Sequence, residues 1–136
     1  MPRVTDKDIF KFIEKIHNLS PIDTTCDDEL ERRLKKYLAL CIEHDQPITN
    51  LTAYAAIGID RKTAYEWQTR RSHGGINNSK VAERRYEFIT RLKGICACFR
   101  EQLMLEGLIS PELGIFWQCQ YDGLSRTGEI KITNAR

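Results

Sequence analysis

One glycine, Gly58, divides the run Leu51-Thr-Ala-Tyr-Ala-Ala-Ile-Gly-Ile-Asp-Arg-Lys-Thr-Ala-Tyr-Glu-Trp67 into two segments that each repeat at helical spacing. Ala53 and Ile57 form the inner face of the first segment, and Ala64 and Trp67 anchor the second. Between them Gly58 tolerates the positive φ of a sharp turn, and Ile59 supplies an apolar plug. Asp60 stands where an N-cap accepts the backbone amide of Lys62 or Thr63. The pattern is a helix-turn-helix over residues 50–69. It constrains the whole chain, because two short helices at a steep angle need further helices to cover their apolar sides. Tyr54 occupies a place where a small residue is usual, so it is expected to swing outward or to open the angle between the helices.

The surrounding sequence supplies such helices. Thr5 with Asp8 forms a capping box, and Ile9, Phe12, Ile13 and Ile16 follow at helical spacing until the Ser20-Pro21 break. Thr25 with Asp28 repeats the device ahead of an apolar stripe of Leu30, Leu34, Tyr37, Leu38 and Cys41, and His44, Asp45 and Pro47 end that helix. Residues 72–78, Ser-His-Gly-Gly-Ile-Asn-Asn, are a loop by composition. A long helix is predicted over about residues 79–106, with Phe88, Ile89, Leu92, Ile95, Cys96, Phe99 and Leu103 along a stripe wide enough for two apolar partners. Ser110-Pro111-Glu112 starts a short closing helix, in which Leu113, Phe116 and Trp117 are expected to face inward, and Glu129 to Thr133 alternates like a short β tail. The fold class expected is all-α. The expected organisation is a helical region carrying the motif over residues 1–76, a long helix plus a closing helix over 77–124, and a tail over 125–136.

Charge is unevenly distributed. The net charge is −3 over residues 1–60, +6 over 61–93 and −1 over 94–136, within a total of +2. A concentrated basic block attracts a phosphate backbone even when the whole chain is nearly neutral. On the second helix of the motif the side chains left outward are Arg61, Lys62, Tyr65, Glu66 and Thr69. Arg61 and Lys62 sit at the end that enters a major groove, Tyr65 suits a thymine methyl or a phosphate, and Glu66 can accept from cytosine N4. Arg70 and Arg71 continue the basic segment toward phosphate contact.

Other chemistries find little support. No phosphate-cradling Gly-x-x-x-x-Gly-Lys-Ser/Thr, no His-Glu-x-x-His and no cysteine with an evident base partner occurs, so no enzyme and no cofactor is expected. The odd count of five cysteines suits reduced thiols, and both Cys41 with His44 and Cys96 with Cys98 lie in predicted helix rather than in a zinc knuckle, so no metal is expected. No apolar run approaches membrane-spanning length and the amino terminus lacks a signal-peptide core, so a cytoplasmic protein that does not engage membrane is expected.

The helix-turn-helix from Pro47 to Trp67, a long helix carrying Arg84-Arg-Tyr-Glu-Phe-Ile, and the closing segment Gly114-Ile-Phe-Trp-Gln-Cys-Gln-Tyr-Asp-Gly123 together resemble the small terminase subunits of tailed phages and prophages, over roughly residues 35–124. The resemblance implies recognition of viral double-stranded DNA by the motif, with Arg61, Lys62 and Tyr65 in contact. It also implies a ring-like homo-oligomer assembled through Phe88, Leu92, Ile95, Phe99 and Leu103, delivery of DNA to a catalytic large terminase subunit, and residence in the host cytoplasm. A dimeric helix-turn-helix transcriptional regulator is the alternative, since it would use the same motif on paired half-sites.

Overall fold

The computed structural model describes residues 6–69 and 79–121, and these contain six α-helices and no strand. They are α1 (Asp6–His17), α2 (Asp27–Glu43), α3 (Asn50–Ile57), α4 (Arg61–Gln68), α5 (Ser79–Leu105) and α6 (Pro111–Tyr121). The fold is all-α, as the apolar periodicity requires. Thr5, the basic pair Arg70-Arg71 with the loop that follows, and the alternating segment from Glu129 to Thr133 lie outside the described residues. The backbone divides into two compact units, residues 1–92 and 93–136, with the division falling inside α5.

In the first unit α3 packs against α1, α2 and α4. Phe12 and Ile16 of α1 are buried, as are Leu30, Leu34, Tyr37, Leu40 and Cys41 of α2, and Ala53, Tyr54, Ala56 and Ile57 of α3. Burying a side chain of the Leu, Ile or Phe class contributes about 1.5–3 kcal/mol, so this cluster is the main force assembling the unit. The α1 stripe is narrower than its spacing suggested: Ile9 is exposed and Ile13 half-buried.

The start of α2 differs from expectation. Its N-cap is Cys26, which makes no side-chain capping bond, and no Thr25–Asp28 capping box forms. The Thr25 hydroxyl and amide instead donate to Asp23 Oδ1 at 2.6 and 3.0 Å, a local turn that competes successfully with the helix end. These bonds, the hydroxyl first, hold the Asp23 carboxyl below its ordinary range. Asp27, Asp28 and Glu29 still lie in the first turn, where the helix dipole favours negative charge.

At the other end of α2 the chain closes with a six-to-one bond, Gln46 N–H to the Cys41 carbonyl at 2.8 Å, enclosing Asp45 N–H to the Ile42 carbonyl at 3.2 Å. That termination needs a left-handed residue, and Asp45 supplies it with φ +52°, although glycine is the usual occupant.

In the second unit α6 begins as its sequence predicts, the Ser110 hydroxyl accepting the Leu113 amide at 3.2 Å ahead of Pro111. Its facing does not. Leu113 and Phe116 are exposed and Trp117 half-buried, while Gly114 is the buried residue of the helix. A Cβ on Gly114 would fall on the Met104 side chain, so the contact is made by bare backbone against the thioether of α5. Close approach at the glycine outweighs the inward packing of two large side chains on either side of it.

Candidate nucleic-acid interface

The helix-turn-helix is positioned from α2 outward. Tyr37, buried on α2, places its hydroxyl 3.0 Å from the Thr49 amide, which donates to it, and 2.8 Å from Thr52 Oγ1. Thr49 is the N-cap of α3 and its side chain accepts the Thr52 amide at 3.3 Å. One phenol therefore fixes the first turn of α3. Burial drives the Tyr37 phenol well above its ordinary range, so it stays neutral and able to donate.

Within α3, Tyr54 neither swings outward nor is excluded from the core. It is buried, and its hydroxyl accepts from Nδ2 of the equally buried Asn50 at 3.3 Å. The two residues are four apart on one helix face, so each gives the other a polar partner where water is excluded.

Gly58 ends α3 in the left-handed conformation, φ +94°, and Ile59 N–H reaches back to the Tyr54 carbonyl at 3.0 Å. The chain thereby passes from α3 to α4 through Gly58, Ile59 and Asp60. Asp60 then caps α4, its carboxylate accepting the Thr63 amide at 2.8 Å, and this backbone bond holds its carboxyl below the usual range.

The two faces of α4 separate cleanly. Ala64 and Trp67 are buried, while Arg61, Lys62, Tyr65 and Thr69 are exposed and Glu66 is half-buried. Tyr65 shows 53% of its surface. The Thr69 hydroxyl lies 3.0 Å from the Tyr65 carbonyl and 3.2 Å from the Glu66 carbonyl. Its proton thus serves the helix end, and an incoming group would meet its lone pairs.

Beneath α4 lies a residue that no sequence pattern separates from the basic block. Arg85 of α5 sets its guanidinium 5.0 Å from the centroid of the Trp67 ring, and Phe88 meets that ring edge-on at 6.5 Å. Arg84 pairs with Asp27 at 3.4 Å and Arg91 pairs with Glu31, so α5 engages the acidic first turns of α2. Much of the basic block on α5 is therefore committed within the protein. The cations displayed by the motif itself are Arg61 and Lys62.

Of the residues expected to assemble subunits, Phe88 and Leu92 are buried within the chain, and Ile95, Phe99 and Leu103 are half-buried. All five cysteines are free thiols, and among the described residues no three His, Cys, Asp or Glu side chains gather as a metal-binding group. No helix among those residues is long and apolar enough to cross a membrane. Compared with protein-family models, with curated proteins and with solved structures, the chain matches none.

Proposed function

We propose that this chain is a small terminase subunit: a non-enzymatic protein of tailed phages that binds viral DNA through α3 and α4, assembles as a ring-like homo-oligomer, and presents DNA to a catalytic large subunit. One observation carries the DNA-binding part. The left-handed Gly58 and the Asp60 cap turn Ala64 and Trp67 into the core and leave Arg61, Lys62 and Tyr65 outward at the amino-terminal end of α4. In a major groove that end meets base edges, and the positive end of the helix dipole adds attraction for phosphate. Arg70 and Arg71 continue the basic sequence after Thr69. Assembly falls to the partly exposed Ile95, Phe99 and Leu103 rather than to Phe88 and Leu92, which are already covered.

Duplex binding measured across a salt series, together with native mass alone and with DNA, tests this reading. Salt-sensitive binding that weakens about tenfold or more in Arg61→Ala and Lys62→Ala, by a closed ring of more than two copies, is expected. A dimer protecting a palindromic site would assign the same motif to a transcriptional regulator. Unchanged duplex affinity in the double variant would remove the nucleic-acid reading altogether.

A further inference from the structure

The first unit contains a cleft of about 760 Å³ on the inner side of the helix-turn-helix, within the size range of small-molecule sites. Its border includes Ser20 and Thr24 of the α1–α2 connection, Arg33 of α2, Ile57, Trp67 of α4, and Arg85 of α5. Both arginines are half-buried. Arg33 donates from Nη1 to the Ala56 carbonyl at 2.9 Å and from Nη2 to the Ser20 carbonyl at 2.5 Å. Arg85 donates from Nε to the Thr24 carbonyl at 3.3 Å and from Nη2 to Thr24 Oγ1 at 2.8 Å. Every one of these acceptors is neutral.

Among the described residues no carboxylate forms a salt bridge with either guanidinium, and each sits partly out of water with N–H donors left over from its five. The contrast with their neighbours is informative, because Arg84 and Arg91 on the same helix have each found a carboxylate of α2. Asp60 and Glu66 also border the cleft. Asp60 is turned onto the Thr63 amide, and Asp23, the carboxylate whose field reaches Arg85, is turned onto Thr25. Burial consequently disfavours the charged form of Arg85, against the opposing pull of Asp23. Leu19, Pro21 and Ile59, none of them fully buried, meanwhile give the same cleft an apolar wall.

From this juxtaposition we infer that the cleft binds a small organic anion: an acidic oxo group received by Arg33 and Arg85, carried on a flat apolar body that lies against Leu19, Pro21 and Ile59. The site goes beyond DNA reading and stands without it. An occupant would touch α2, the α3–α4 turn, α4 and α5 together, so it would stabilise the docking of α4 in proportion to its affinity for the folded unit.

The probe for this site is 1-anilinonaphthalene-8-sulfonate, a fluorescent aromatic sulfonate, with N-phenyl-1-naphthylamine as its uncharged counterpart. Titrating the full chain should give saturable one-to-one binding of the sulfonate, at least tenfold tighter than the uncharged amine. Arg33→Gln and Arg85→Gln should each weaken the sulfonate about tenfold or more while leaving the amine unchanged, with helix content by circular dichroism confirming that each variant is folded. Should either variant unfold, the comparison of the two probes on the unaltered chain decides alone. Equal affinity for the charged and uncharged probes, or binding that does not saturate, would overturn the inference by placing the probe on exposed apolar surface. Equal weakening in Arg61→Ala would overturn it by placing the probe on the outer face of α4. Failure of DNA binding in the Arg61 and Lys62 variants with sulfonate binding intact would leave this site standing and remove only the nucleic-acid reading.

Discussion

Arg85 covers the ring of Trp67 from α5 at 5.0 Å while its Nε and Nη2 hold the carbonyl and hydroxyl of Thr24, 61 residues earlier in the chain. One side chain ties the inner anchor of α4 to the connection between α1 and α2. A desolvated cation–π contact and hydrogen bonds from a charged donor each contribute on the order of 1–2 kcal/mol. Arg85→Ala should lower unfolding stability by about 1–3 kcal/mol, measured by urea denaturation. Arg85→Lys should recover less than half of that loss, because an ammonium cannot cover the ring and fork onto Thr24 at once.

Tyr37 makes a second long-range tie, and its removal should be felt at the motif. In Tyr37→Phe the Thr49 amide and Thr52 hydroxyl lose their phenolic partner, which should cost about 1–3 kcal/mol by chemical denaturation. The same substitution alters the alkaline limb. The folded-state phenol titrates above its ordinary value of 10.0, so its contribution is fully present below that pH and is lost as pH rises through the folded value. The stability difference between the parent and Tyr37→Phe should therefore shrink above about pH 10.

Two left-handed residues should respond in opposite directions. Asp45 holds φ +52° with a side chain, so Asp45→Gly should raise stability by about 0.5–1 kcal/mol. Gly58 holds φ +94° with nothing within 4 Å of a Cβ, so Gly58→Ala should cost about 1–2 kcal/mol through backbone strain alone. Melting temperatures of the two variants should move apart.

Acid should loosen α4 through its cap. The Asp60 carboxyl titrates below its ordinary value of 3.8 because the Thr63 amide bonds the charged form, so its contribution is present above that value and is lost as pH falls through the folded value. Asp60→Asn retains an acceptor and should flatten this part of the acid limb, whereas Asp60→Ala should lower the melting temperature at pH 7. Melting curves between about pH 2 and 7 check both.

The helix-turn-helix was legible because its determinants are local. A glycine at the turn, an acid at the next cap and apolar residues three apart define which way α4 faces, and Ala64 and Trp67 are buried accordingly. Residues with two competing options were not legible. Thr25 lies two residues after Asp23 as well as before a helix, and the turn won. In α6 the run Leu113-Gly-Ile-Phe-Trp117 is apolar all round and gives no direction to its wheel, so the Met104 contact decides it. Tyr54 stays inside because Asn50 lies one helical turn away, a pairing that the sequence does contain. Arg85 was hidden among five other arginines and lysines of α5, and only its place beneath Trp67 distinguishes it.

The left-handed backbone of Gly58 has a stereochemical consequence. Such a backbone is the natural habitat of a mirror-image residue, so D-alanine introduced there by chemical ligation should adopt it without backbone strain. It should also restrict the unfolded chain, making the turn firmer than glycine makes it.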